Sequence, residues 1–285
     1  MKPSEGSAVG DSGRQLNSAL CQESFRPRPS ELGALLVTIV GVDCATLNRK
    51  TGLAFSSYGK HGVLVVEECF VAQATPSVAD QIHARLSDAQ SVLIALDAPL
   101  GWPAALSKHL SEHKAGRAFT VESDLLFRRR TDQIVKDKLG KAPLEVAANF
   151  LARTAVAALR MLEDLSQRCN TGISLAWQPA VPKGFAAIEV YPAGTLRAYQ
   201  KMRFVAGTGT TVQNKQSFLK KLQRLGKLQL RPAAAKAVTN EHALDSILCC
   251  VAAADFLSGL AIPPSPRDRD LVKREGWIWV RDPDA

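Results

Sequence analysis

Apolar residues along this chain fall into short, nearly unbroken runs and longer runs spaced at three and four. Ala34 to Asp43, rich in Leu, Val and Ile, reads as a buried strand. Gly52 to Tyr58 and Val63 to Val71 follow, separated by Gly59 and Gly62, and such short turns predict an antiparallel meander of three strands. Pro76 to Leu86 carries Val78, Ile82 and Leu86 at helical spacing, with Thr75 as a cap. Ser91 to Asp97 is a second buried strand. A strand, helix, strand order places it parallel to the first through a right-handed crossover.

Beyond this point the pattern thins. Pro99 to Lys141 is mostly polar and charged, with one short helix over Ala104 to Glu112. Ala142 to Gln167 reads as a long helix, with Val146, Phe150, Leu151, Leu159 and Leu162 near one stripe. Phe185 to Tyr191 predicts a short strand, Thr195 to Tyr199 a helix and Gln213 to Leu225 a basic helix. Asn240 to Leu257 predicts a strongly apolar helix capped by Thr239 or Asn240, and Trp277 to Val280 a closing strand. There is no internal repeat. The elements make one α/β domain over residues 33–285, a mixed sheet with insertions at about 99–141 and 193–236. Residues 1–32, rich in Ser, Gly, Pro and Arg without an apolar period, are expected to form a disordered tail.

Hydrophobic residues make up 46% and charged residues 22% of the chain, which excludes a wholly disordered protein, a collagen and a disulfide mini-protein. The longest apolar run, Ala34 to Val42, is about half of what a bilayer span needs. The first thirty residues hold no apolar stretch that could act as a secretory signal. A soluble cytoplasmic protein with no membrane partner is expected. None of the six cysteines forms a C-x-x-C pair, so neither a zinc ribbon nor a thioredoxin motif is present.

Net charge is +9, and its location is informative. Between Lys201 and Lys236 lie nine basic residues and no acidic one, so the rest of the chain sums to zero. A basic stripe on a neutral body suits a polyanion, nucleic acid first, although a solvated helix face would read the same way. Lys220, Lys221 and Arg224 lie on the predicted basic helix and are the candidate backbone contacts.

Four acidic residues hold meaningful places. Asp43 and Asp97 end two apolar strands, Glu189 lies near the end of a third, and Asp245 falls in the first turns of the apolar helix, three residues after His242. Asp is a poor strand former, so two strands ending in Asp need a reason. Turn chemistry is one. Metal binding is the other: clustered carboxylates repel unless a hard cation neutralises them, and Mg²⁺ takes a few carboxylates with water and substrate phosphate.

Gly41-Val42-Asp43, Asp97-Ala-Pro-Leu-Gly-Trp-Pro103, Arg130-Thr-Asp132, Glu189-Val-Tyr-Pro192, His242-Ala-Leu-Asp245 and Glu275-Gly-Trp-Ile278 together resemble an uncharacterised bacterial family of predicted RNase H-like nucleases. The His-x-x-Asp pair resembles the Holliday-junction-resolvase branch of that superfamily. The resemblance runs from about Leu36 to Val280. It implies an RNase H-like mixed sheet, an antiparallel meander plus parallel strands, flanked by helices. It also implies a two-metal phosphodiesterase. Asp43, Asp97 and Asp245 would hold Mg²⁺ or Mn²⁺, and His242 would be a second-metal ligand or a proton-transfer group. In the triplet Arg128-Arg129-Arg130, Arg128 and Arg130, with Asp132 and Glu189, would belong to substrate binding, guanidinium forks being suited to phosphate, although a solvated loop would read the same way. Glu189 could equally be a further ligand or a buried partner for an arginine.

Two other readings stand beside this one. A nucleic-acid-binding protein could keep the fold without the chemistry. His109-Leu-Ser-Glu112-His113 matches the H-x-x-E-H zinc-peptidase pattern, with Glu189 as a distant third ligand.

Overall fold

The computed structural model describes residues 36–285 apart from 60, 87, 88, 148, 149 and 208. The tail expected over residues 1–32 lies outside the described residues. The strands are β1 (Val37–Asp43), β2 (Gly52–Tyr58), β3 (Leu64–Val71), β4 (Ser91–Leu96), β5 (Ser174–Leu175), β6 (Gly184–Glu189) and β7 (Leu228–Leu230). They form one sheet in the order β5-β6-β4-β1-β2-β3-β7. β1, β2 and β3 are antiparallel neighbours, and β4 runs parallel to both β1 and β6. This is the expected mixed sheet, an antiparallel meander plus parallel strands.

Helices cover both faces: α1 (Val78–His83), α2 (Ala104–Ser111), α3 (Ser123–Phe127), α4 (Arg130–Leu139), α5 (Leu151–Arg168), α6 (Pro192–Lys201), α7 (Val212–Arg224), α8 (Pro232–Ala237), α9 (Glu241–Leu257) and α10 (Arg269–Glu275). One core joins Val40, Val42, Phe55, Ile94 and Leu96 to α1 and α5. The other joins Val37, Ile39, Leu93, Ala95 and Ile188 to α4, α6, α7 and α9. Strand alternation produces the split, since successive side chains leave opposite faces.

Several expectations shift. The cap of α1 is Ser77, whose hydroxyl accepts from the Asp80 N–H, rather than Thr75. The long helix begins at Leu151 instead of Ala142. Trp277 to Val280 forms no ladder; it contributes the single bridge Glu189–Ile278, with a second at Ala261–Arg281. Its apolar character reflects burial, since all four side chains are nearly inaccessible. The segment 193–236, expected as an insertion, packs on the body: β7 pairs with β3, and Leu196, Phe218 and Leu222 are core residues.

Helix α9 is buried on nearly every side, as a helix apolar all round must be. Asn240 caps it, its side chain accepting from the Ala243 N–H at 3.2 Å. Two glycines let it lie against the sheet. A Cβ on Gly41 would stand 2.1 Å from the Ser246 carbonyl oxygen, and one on Gly52 would stand 2.0 Å from that of His242. The helix backbone therefore rests on strand backbone, which brings its first turns over the end of β1. Gly41→Ala is expected to cost about 1–3 kcal/mol in urea unfolding, because backbone must move. A variant as stable as the parent would show that α9 lifts without penalty.

Candidate active site

The alternation that sends Ile39 and Gly41 toward α9 sends Asp43 there too, and in β4 it does the same for Leu93, Ala95 and Asp97. Val42 pairs with Leu96 in the parallel register, and the Asp97 N–H donates to the Val42 carbonyl at 2.9 Å. Asp43 and Asp97 thus leave adjacent strands at the same level, at the carboxyl end of the sheet. Helix α9 supplies the facing wall. His242 Nδ1 lies 2.7 Å from Asp43 Oδ2, and Asp245 follows one turn later.

The carboxylates feel one another. Burial pushes the Asp43 carboxyl up to about 6; the His242 hydrogen bond opposes this, and the Asp245 charge adds to it. Asp97 is raised well above the usual carboxylate range, by burial and then by Asp43 and Asp245. Burial also raises Asp245, against the pull of Lys215. The Cys44 and Cys249 thiols are pushed far up by burial and by the nearby Asp97 and Asp43, which leaves them inert.

These shifts have a sign. Asp43 keeps its proton in the folded state up to about pH 6, whereas the unfolded chain loses it near pH 4. The folded state binds more protons across that window, so the contribution of this group to stability falls as pH rises from about 4 to about 6 and is flat above. Thermal scans in a metal chelator should give a lower Tm at about pH 7.5 than at about pH 5. Asp43→Asn should reduce the difference.

Two carboxylates at the site have open oxygens. Asp245 Oδ1 is buried and has no hydrogen-bond partner, while Oδ2 accepts from Lys215 Nζ at 2.7 Å. The Asp97 carboxylate makes no hydrogen bond or ion pair among the described residues. Hard, uncompensated carboxylate oxygens are the donor chemistry that Mg²⁺ or Mn²⁺ takes, so the residues fit such an ion in donor type. Among the described residues, no three His, Cys, Asp or Glu side chains are grouped closely enough to hold a metal ion as they stand.

The other candidates are placed differently. Asp132 and Glu189, expected at a substrate surface, are 1% and 4% exposed. Both are held by Arg129, itself 1% exposed, whose Nη2 lies 2.9 Å from Asp132 Oδ1 and 2.7 Å from Glu189 Oε1. Glu189 is therefore a buried arginine partner. Arg128 pairs with Asp124 and Glu145, and Arg130 with Asp268. Lys220 and Arg224 are exposed on α7, but Lys221 donates to the Phe204 carbonyl and sits 4.6 Å from that ring's centroid. His113 stacks on Phe119, and Glu189 is committed to Arg129 rather than to the H-x-x-E-H segment.

Three residues of the region escape the sequence reading. Arg129 sits inside a noted triplet, between the two arginines singled out. Tyr191, next to the strand-end Glu189-Val190, has its hydroxyl pushed up to about 12 by burial and then by the charge of Asp97. Lys215 counts only toward the basic stripe. Its signal is positional: Lys215, Phe218, Leu219 and Leu222 share one helical stripe, and the other three are core residues.

A family model described as "Protein of unknown function (DUF429)" matches residues 41–269, from the start of Gly41-Val42-Asp43 to beyond Asp245. The chain belongs to this family. The DUF429 match contains five of the six motifs; Glu275-Gly-Trp-Ile278 lies past its end. No curated protein matches the chain. The crystal structure of the yeast mitochondrial Holliday junction resolvase Ydc2 is similar over 77% of each chain, at 12% identity and a TM-score of 0.33. So distant a likeness brings no chemistry to this DUF429 protein. Among the described residues, no helix is long and apolar enough to cross a membrane.

Proposed function

We propose that this protein is a nuclease that hydrolyses phosphodiester bonds of nucleic acid, with Mg²⁺ or Mn²⁺ bound at the acidic site. The observation that carries this reading is the meeting of Asp43, Asp97 and Asp245 at one end of the sheet with carboxylate oxygens left uncompensated. Glu189 and Asp132, by contrast, have their oxygens satisfied by protein donors, and the buried Asp255, which also leaves one oxygen open, has its charge offset by Arg281.

Asp43, Asp97 and Asp245 would hold the ion. When bound, it would polarise a water and offset charge on the phosphate. The Asp43 carboxylate orients His242 through Nδ1, which leaves Nε2 facing the solvent side, since the ring is 42% exposed. His242 is thereby placed to carry a proton between the site and water. Lys220 and Arg224, four apart on the exposed side of α7, would track the phosphate backbone.

The test is cleavage of a panel of single-stranded and structured DNA and RNA with Mg²⁺, with Mn²⁺ and with chelator. Divalent-dependent products support the proposal; no cleavage of any member, with binding retained, would move the protein to the binding-only reading. For binding itself, Lys220→Glu with Arg224→Glu should weaken affinity and reduce the salt slope by about two. An unchanged slope would assign that face to solubility alone.

A further inference from the structure

Lysine is almost never fully buried unless paired, yet the Lys215 side chain is 5% exposed. It lies in the first turn of α7, where the helix dipole disfavours a cation and where no acidic residue offsets it. Its ammonium reaches across to α9, 2.7 Å from Asp245 Oδ2 and 3.3 Å from Glu241 Oε1. Its charge is also felt at Asp43 and Asp97, where it opposes the upward push of burial. One group thus sits within electrostatic reach of all three carboxylates.

A simple tether between α7 and α9 would need only one carboxylate, and the surface residue Glu241 would suffice. Lys215 instead makes its shorter contact to Asp245, the residue that leaves its other oxygen open. An ammonium has three donors; two are used, and the third has no partner among the described residues. Charge gives the same indication. The three candidate ligands and the Lys215 ammonium sum to −2, and Glu241, also paired with Lys215, brings the cluster to −3, so one divalent ion removes most of the excess negative charge.

We propose that Lys215 is the built-in second cation of the acidic site, so that the site takes one divalent ion rather than two, with the free ammonium donor directed at a substrate oxygen. This rests on the metal-dependent reading above and fixes its metal count.

The experiment counts ions in the full-length protein, using Mn²⁺ alone, by titration calorimetry and by the electron paramagnetic resonance of free Mn²⁺. The unaltered protein should bind one Mn²⁺ per chain, and so should Lys215→Arg, which keeps the charge. Lys215→Met should bind a second ion, or bind the first at least about tenfold more tightly, because a competing cation has been removed. Two ions on the unaltered protein would overturn the inference and leave the nuclease reading intact, and this count holds even if Lys215→Met does not fold. One ion on folded Lys215→Met at unchanged affinity would overturn it as well. No ion on any of the three proteins would overturn both the inference and the metal-dependent reading.

Discussion

Arg129→Met should destabilise the protein by about 3–5 kcal/mol, the characteristic cost of removing one partner from a buried ion pair. The loss is that large because Arg129 is the hub of a buried network. It donates to both oxygens of Asp132 and both of Glu189, and to the Glu275 carbonyl. Glu189 in turn accepts from the Leu100 N–H, and Glu275 accepts from the Ala104 and Arg130 N–H groups. The network thereby ties together the loop after Asp97, the start of α4, the end of β6 and the turn after α10. Removing the guanidinium leaves two carboxylates in a site with almost no water access.

Set against a typical total of 5–15 kcal/mol, such a loss would leave little margin. Urea unfolding measures it. Arg129→Lys should fall between, since it keeps the charge and loses the fork. Adding Glu189→Gln to Arg129→Met should recover part of the loss by removing one uncompensated charge. A variant within about 1 kcal/mol of the parent would mean that the pairing does not hold this corner together.

Asp97→Asn is expected to move stability and cleavage in opposite directions. The Asp97 carboxylate has no protein partner, and burial and three neighbouring carboxylates oppose its charge. An isosteric amide removes that charge, so the metal-free variant should melt a few degrees higher at neutral pH. The same change deletes a hard oxygen from the proposed ion site, and divalent-dependent cleavage should fall by roughly a thousandfold. Asp43→Asn should lose a similar factor, with a smaller gain in stability because the carboxylate anchors His242. Cleavage retained in folded Asp97→Asn would dismiss the acidic site, whatever its geometry.

Much of this was readable from residue order. The two Asp-terminated strands were legible because unbroken Leu, Val and Ile runs identify buried strands, and a strand–helix–strand order fixes their direction. Period-two alternation then puts Asp43 and Asp97 on a common face once both strands are in one sheet. His242 and Asp245 were legible as neighbours on a helix from their spacing alone. The short elements were not. β7 has three residues and β5 two, and α3, α4, α8 and α10 are short and lie in polar or broken segments. No local period can show elements of that size, because tertiary contacts hold them.

By itself, then, the sequence determined the mixed sheet, the strand-end carboxylates and the buried helix that faces them, all consequences of local hydrophobic period and chain order. What only the tertiary structure decided is which charges meet. Arg129, Asp132 and Glu189 lie far apart in the chain from Glu275, as Lys215 does from Asp245, and charge–charge contacts carry no periodic signature. Asp132 and Lys215 read as surface residues in the sequence. Both became interior because opposite charges from distant segments were brought within hydrogen-bonding distance, and a buried charge is stable only there.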